Sequence, residues 1–62
     1  MEWIDINKEI PSVEGKYLVQ TKTTMGNTHR LDSVCTLKED KGKMKAHFNV
    51  SNQIVTHWLK EN

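Results

Sequence analysis

The segment Met44-Lys45-Ala46-His47-Phe48-Asn49-Val50 alternates apolar and polar residues over seven positions. Such alternation predicts a β-strand with one buried side and one solvent-facing side. The segment from Leu31 to Leu37, which precedes it, also carries most of its apolar residues on one side. Between the two, Glu39-Asp40-Lys41-Gly42 predicts a four-residue hairpin loop, because Gly42 adopts the left-handed conformation readily. An antiparallel hairpin is therefore expected here.

This loop sets the register of the first hairpin, with Leu37 opposite Met44 on an apolar face. A second hairpin closes in the same way through the loop Ser51–Gln53 and places His47 beside His57. Two further segments, rich in β-branched and aromatic residues, complete the sheet. The expected fold is mainly β, a small antiparallel meander of about four strands at residues 17–22, 30–37, 44–50 and 54–59.

The N-terminal part of the chain does not alternate cleanly. It is nevertheless too apolar for a free tail, since it contains Trp3, Ile4, Ile6, Ile10 and Val13. We expect it to cover the apolar face of the sheet. Its conformation stays open between an extended strand ending at Pro11 and a short helical turn from Asp5 to Ile10. The aromatic residues expected in the core are Trp58, Trp3, Tyr17 and Phe48.

Length and composition exclude several classes of protein. The 62 residues form a single domain, residues 1–62, and a chain of this size buries only about 60% of its unfolded surface. Nine Lys and Arg against eight Asp and Glu leave a net charge of +1, which argues against nucleic-acid binding. No apolar run reaches the length of about 18 residues that a membrane span needs. A single cysteine, Cys35, excludes an internal disulfide and, with an N-terminus lacking a signal sequence, favours the cytoplasm.

No catalytic residue, cofactor or metal site is predicted. Cys35 lies mid-strand on the expected buried face, where a thiol is usually inert. A His47–His57 pair could bind a metal or an anion, or act as a pH switch, but a zinc site needs three or four ligands. Two solvated or partner-contacting histidines are the simpler interpretation. The protein is not expected to be an enzyme.

The second face of the predicted sheet mixes apolar and polar residues, a composition typical of an interface. A chain this short and poor in apolar residues also gains stability from burial against another chain. We therefore expect a homodimer or larger oligomer that uses this face or the outer strand edges. The candidate interface residues are Val34, Lys45, His47, Asn49, Val55, His57 and Leu59.

Four short motifs stand near the ends of the chain: Trp3-Ile4, Ile10-Pro11, Tyr17-Leu18-Val19 and Val55-Thr56-His57-Trp58. They resemble the opening and closing motifs of domain of unknown function family 551, whose members are common in bacteriophages and prophages. The middle of the chain shows no such resemblance, and the family's proline-flanked tail is replaced by Lys60-Glu61-Asn62. The resemblance implies a phage or prophage setting and a compact β-rich fold. It carries over no catalytic residue.

The leading hypothesis is a small phage-encoded, non-enzymatic protein that inhibits a host defence or regulatory protein by direct contact, in the cytoplasm of the infected bacterium. It rests on the resemblance and on the semi-apolar second face. One alternative is an oligomer that sequesters a nucleotide signal, with phosphate contacts from His47, His57, Asn49, Lys45 and Arg30. A second alternative, a nucleic-acid-binding accessory protein, is the least expected because the charge is balanced.

Overall fold

The computed structural model describes residues 1–61 and shows a five-stranded antiparallel sheet. No helix occurs among these residues. The mainly β, antiparallel fold class is confirmed, with one strand more than predicted. The strands are β1 (Glu2–Asp5), β2 (Gly15–Thr23), β3 (Thr28–Asp40), β4 (Lys43–Phe48) and β5 (Gln53–Lys60), in the spatial order β1-β5-β2-β3-β4.

The last strand departs from the predicted meander. Strands β2, β3 and β4 follow one another across the sheet, but β5 returns to lie between β1 and β2. Strands β2 to β5 thus have the spatial order of a Greek key, and β1 adds an edge strand. The second predicted hairpin, between β4 and β5, is wrong.

The side chains of β4 and β5 explain this exchange of positions. Every residue of β5 except Ile54 is buried or half-buried, and a strand with bulky residues on both faces is stabilised by neighbours on both sides. In contrast, β4 exposes Lys43, Lys45 and His47 on its polar side. Charged residues on an edge strand protect it from further pairing. The strictly alternating strand β4 therefore lies at the edge of the sheet, and β5, which does not alternate, lies inside it.

The hairpin between β3 and β4 forms as predicted, but in a register shifted by two residues. Its loop is Lys41-Gly42 alone, and the two residues have φ angles of 53° and 79°. Two-residue loops with positive φ at both positions match the twist of the flanking strands. Leu37 therefore lies opposite Ala46 instead of Met44. Because the shift is an even number, the apolar side chains stay on the same face.

The core lies on one side of the sheet and is centred on four buried side chains, Val19, Cys35, Phe48 and Trp58. The rings of Trp58 and Tyr17 meet edge to face, with centroids 5.5 Å apart, a favourable arrangement for aromatic pairs. The predictions of Trp58 and Phe48 as core residues are confirmed. Partly buried residues surround the cluster: Ile4, Ile6, Tyr17, Leu31, Leu37, Ala46 and Val55.

The N-terminal segment combines the two conformations that the sequence left open. Residues 2–5 form β1, and the chain then turns at Asp5, whose carbonyl accepts the N–H of Lys8 at 2.9 Å. The residues that follow cross the core side of the sheet. Pro11 is fully buried, and the carbonyl of Glu9 accepts the indole N–H of Trp58 at 2.9 Å. The predicted coverage of the apolar face is confirmed.

Trp3 is not a core residue, contrary to the prediction. It pairs with Leu59, whereas its neighbour Ile4 pairs with Trp58 and packs against the core. Adjacent residues of a strand point to opposite faces of the sheet, so only one of the two can face the core. Trp3 lies half-buried on the other face.

A β-bulge in β5 decides which of its side chains face the core. Gln20 pairs with His57, but the next residue, Thr21, pairs with Val55, so Thr56 is an extra residue in β5. The hydroxyl of Thr56 donates to the carbonyl of Gln20 at 3.1 Å, which holds the bulge in place. The extra residue shifts the alternation by one position. Val55 therefore packs against the core together with Trp58.

The substitution Trp58→Phe should lower the free energy of unfolding by about 1–3 kcal/mol, because it removes core volume and leaves the carbonyl of Glu9 without its donor. Urea unfolding of the purified protein measures this. The control is Tyr17→Phe, which keeps the ring and loses only an exposed hydrogen bond from the hydroxyl to the carbonyl of Val13. An equal decrease in the free energy of unfolding for the two variants would contradict a central role for the indole of Trp58.

Candidate functional site

The side of the sheet opposite the core, which we call the outer face, carries the side chains that alternate with the core residues. Its apolar members lie on four adjacent strands: Trp3 on β1, Ile54 and Leu59 on β5, Leu18 on β2 and Val34 on β3. Trp3, Leu18 and Leu59 are half-buried, and Val34 is 50% exposed. An apolar stripe with partial exposure across a sheet is typical of a binding surface.

The charges of the chain are divided between the outer face and the rest of the molecule. Among the strand residues, all three Asp residues, Asp5, Asp32 and Asp40, lie on the outer face, whereas Glu2 and Glu39 alternate onto the core side. Of the nine Lys and Arg residues, six lie on the outer face, which gives its strand residues a net charge of +3 and leaves −2 for the rest of the chain. These six are Lys16, Lys22, Arg30, Lys38, Lys43 and Lys45.

Arg30 connects two distant strands across the outer face. Its guanidinium carbon lies 4.6 Å from the centroid of the Trp3 ring, within the range of a cation–π interaction. Its Nε donates a hydrogen bond to Oε1 of Gln20 at 3.1 Å. The side chains of Arg30 and Trp3 thus meet over β2 and β5, the strands that lie between β3 and β1, and two contacts hold the guanidinium group there.

The structure places most of the predicted interface residues on the outer face. Five of them lie there: Val34, Lys45, His47, His57 and Leu59. Asn49 follows the end of β4 and is exposed, with its N–H donated to the carbonyl of Val34 at 3.1 Å. The placement of Val55 is wrong, because the bulge at Thr56 turns this side chain toward the core.

His47 and His57 are not neighbours, contrary to the prediction. His47 pairs with Thr36 on the edge strand β4, and His57 lies on β5, with β2 and β3 between them. The prediction failed because it depended on the hairpin that does not form. Nδ1 of His57 lies 3.0 Å from the hydroxyl of Thr56. Within residues 1–61 no group of three or more His, Cys, Asp or Glu residues is placed to hold a metal ion.

Sequence reasoning missed the two central residues of the outer face. Trp3 was assigned to the core because bulky aromatic residues are usually buried in a small domain. Arg30 entered only as a general phosphate contact. The available signal was the alternation within Glu2–Asp5, which puts Trp3 and Ile4 on opposite faces once this segment is taken as a strand.

Cys35 is buried beneath the N-terminal segment and does not belong to the outer face. Burial, followed by the nearby carboxylate of Glu14, raises the pKa of the Cys35 thiol above its ordinary value of 9.0. The thiol is therefore protonated at neutral pH and acts as a small apolar side chain.

No family model, no curated protein and no solved structure matches this chain. The resemblance to family 551 stays a prediction. None of the described residues forms a helix long and apolar enough to cross a membrane.

The raised pKa of Cys35 predicts a change of stability with pH. The folded protein binds the thiol proton more tightly than the unfolded chain, so this stabilisation is complete below pH 9.0 and is lost as the pH rises through the folded-state pKa. We expect the difference in unfolding free energy between the wild type and Cys35→Ala, measured by urea unfolding, to be constant below pH 9.0 and to shrink as the pH rises above this value. The control is Val19→Ala, which truncates a buried side chain that does not titrate. Its difference in unfolding free energy from the wild type should stay constant over the same pH range. A constant difference for both variants would contradict the raised pKa.

Proposed function

We propose that this chain is a small non-enzymatic binding protein whose outer face docks onto an acidic patch of another protein. The observation that carries the proposal is the concentration of positive charge on this face, +3 in a chain whose total is +1. Complementary charge steers two proteins together and selects the matching surface.

A protein fits the outer face better than a nucleic acid does. The apolar stripe through Trp3, Leu59 and Leu18 runs across the face and suits the apolar centre of a protein interface. Asp5 and Asp32 interrupt the basic residues, and each carboxylate would repel a continuous phosphate backbone. Aromatic and arginine side chains such as Trp3 and Arg30 are also the residue types that contribute most to protein–protein affinity.

The resemblance to family 551 gives this proposal its biological setting. The chain would be encoded by a phage or prophage and act in the cytoplasm of the infected bacterium. Its partner would be a host defence or regulatory protein, which it inhibits by covering a functional surface. This step rests on the resemblance, whereas the docking face rests on the geometry.

The nucleotide-binding alternative stays a prediction, with phosphate contacts from His47, His57, Asn49, Lys45 and Arg30 in a pocket between subunits. Within one chain these residues are spread over several strands, and His57 is separated from β4 by two strands. A site of this kind therefore needs residues from more than one copy of the chain.

The experiment is affinity capture from a bacterial lysate with two variants of equal net charge. Lys16→Glu/Lys38→Glu reverses two charges on the outer face, and Lys38 lies opposite Lys45, so its reversal also relieves a like-charge pair. Lys8→Glu/Lys41→Glu makes the same change at exposed positions elsewhere. We expect an acidic partner to bind the wild type and the second variant, and to bind the first about tenfold more weakly.

Two results would contradict the proposal. Equal binding by both variants would show that the outer face is not the docking surface. Capture that disappears after nuclease treatment would assign the face to nucleic acid. Circular dichroism of both variants verifies that they fold.

We also propose that the chain self-associates through its strand edges. Two outer faces would bring like charges together, so the face itself is a poor surface for self-pairing. The edge strand β1 lacks the exposed lysines that protect β4, and one of its sides is unpaired among the described residues; edges of this kind pair with other strands. Sedimentation equilibrium at micromolar concentration should give a mass of at least two chains, unchanged in Lys16→Glu/Lys38→Glu. The mass of a single chain would contradict this.

A further inference from the structure

Arg30 is held in a fixed position on a surface where arginine side chains are normally mobile. The Trp3 ring supports its guanidinium at 4.6 Å, and Gln20 accepts its Nε–H at 3.1 Å. A guanidinium has five N–H donors, so four remain after the bond to Gln20. Among the residues that the structure describes, neither of the two ion pairs involves Arg30. Within residues 1–61, a charged, pre-positioned donor group thus has no ion-pair partner.

We infer that Arg30 is the residue through which the outer face recognises a carboxylate of its partner, and that Trp3 and Gln20 are its positioning residues. This inference rests on the proposed docking function. The planar fork of arginine binds a carboxylate through two parallel hydrogen bonds. Since two contacts already restrict the side chain, binding costs less rotamer entropy than it would for a free arginine.

The surroundings of Arg30 indicate what should flank that carboxylate. On the same face, Asp32 follows Arg30 by two positions on β3 and pairs with Leu18. Leu18, Leu59 and Asp32 line a recess of about 410 Å³ at this end of the sheet, together with Lys16, Lys60 and Glu61. Leu18 and Leu59 give it an apolar wall that accepts an apolar side chain, and the charges of its two lysines and two acidic residues balance, so the recess itself does not select a carboxylate. We therefore expect the partner segment to be a protein strand or loop that places a carboxylate at Arg30 beside a bulky apolar residue.

Two synthetic peptides of equal charge test this directly by fluorescence anisotropy. Each has about ten residues and a fluorescein label; one alternates glutamate with leucine, and the other alternates glutamate with serine. We expect the wild type to bind the glutamate–leucine peptide about tenfold more tightly than the glutamate–serine peptide. Equal affinities, or no binding of either peptide at millimolar concentration, would overturn the inference.

Variants of Arg30 separate recognition by its shape from attraction by its charge. Arg30→Lys keeps the charge but loses the planar fork, so we expect it to weaken binding of the glutamate–leucine peptide as much as Arg30→Ala does, by about tenfold. The matched control is Lys22→Ala, which removes one charge from the same face and should cost less than about threefold. If Arg30→Lys binds like the wild type, Arg30 contributes only charge and the inference is wrong.

A double-mutant cycle tests the positioning role of Gln20. Gln20→Leu removes the acceptor for Nε of Arg30, so it should weaken binding in the wild type and have no further effect in Arg30→Lys. The same loss in both backgrounds would show a merely structural role. Failure here leaves the docking proposal intact if Lys16→Glu/Lys38→Glu still binds the captured partner about tenfold more weakly than the wild type. If that variant also behaves like the wild type, both proposals fail.

Discussion

The indole of Trp58 lies where three parts of the structure meet. Its ring packs in the core against the ring of Tyr17, and its N–H is donated to the carbonyl of Glu9 in the segment that covers the core. Burying such a ring contributes about 1.5–3 kcal/mol. The other tie between this segment and β5, the ion pair of Lys60 with Glu9 at 2.9 Å, is on the surface, where such pairs contribute about 1 kcal/mol or less. In a chain of 62 residues, the buried contact therefore dominates.

The position of Trp58 also decides the composition of the outer face. Because Trp58 faces the core, His57 and Leu59 face outward, between the outward side chains of β1 and β2. The extra residue Thr56 keeps Val55 in the core and out of this surface. The result is a continuous apolar stripe over which Arg30 reaches Trp3. The orientation of Trp58 thus determines both the packing of the core and the side chains that the outer face presents.

The sequence predicted what depends on local patterns, and it failed where pairing depends on the whole sheet. Alternation along β3 and β4 identified the apolar face, and the Gly42 turn identified their hairpin. The register was wrong by two because Lys41 also takes a positive φ, which is uncommon for a lysine and has no sequence signal. Predicting that β5 lies inside the sheet requires a comparison of which strands bury side chains on both faces. The meander prediction instead paired each strand only with its neighbours in sequence. The predicted His47–His57 pair failed for that reason, and the assignment of Val55 failed because the bulge at Thr56 has no sequence signal.

A net charge of +1 hides an uneven distribution, because the strand residues of the outer face carry +3 and the rest of the chain carries −2. Exposed charges are screened over about 8 Å at physiological ionic strength. A partner at the outer face would therefore interact mainly with the charges of that face. Trp3 and Gln20 also hold the charge of Arg30 at one position beside the apolar stripe. The total charge argues against nucleic-acid binding, whereas the arrangement of the same residues in the sheet supports the proposed acidic protein partner.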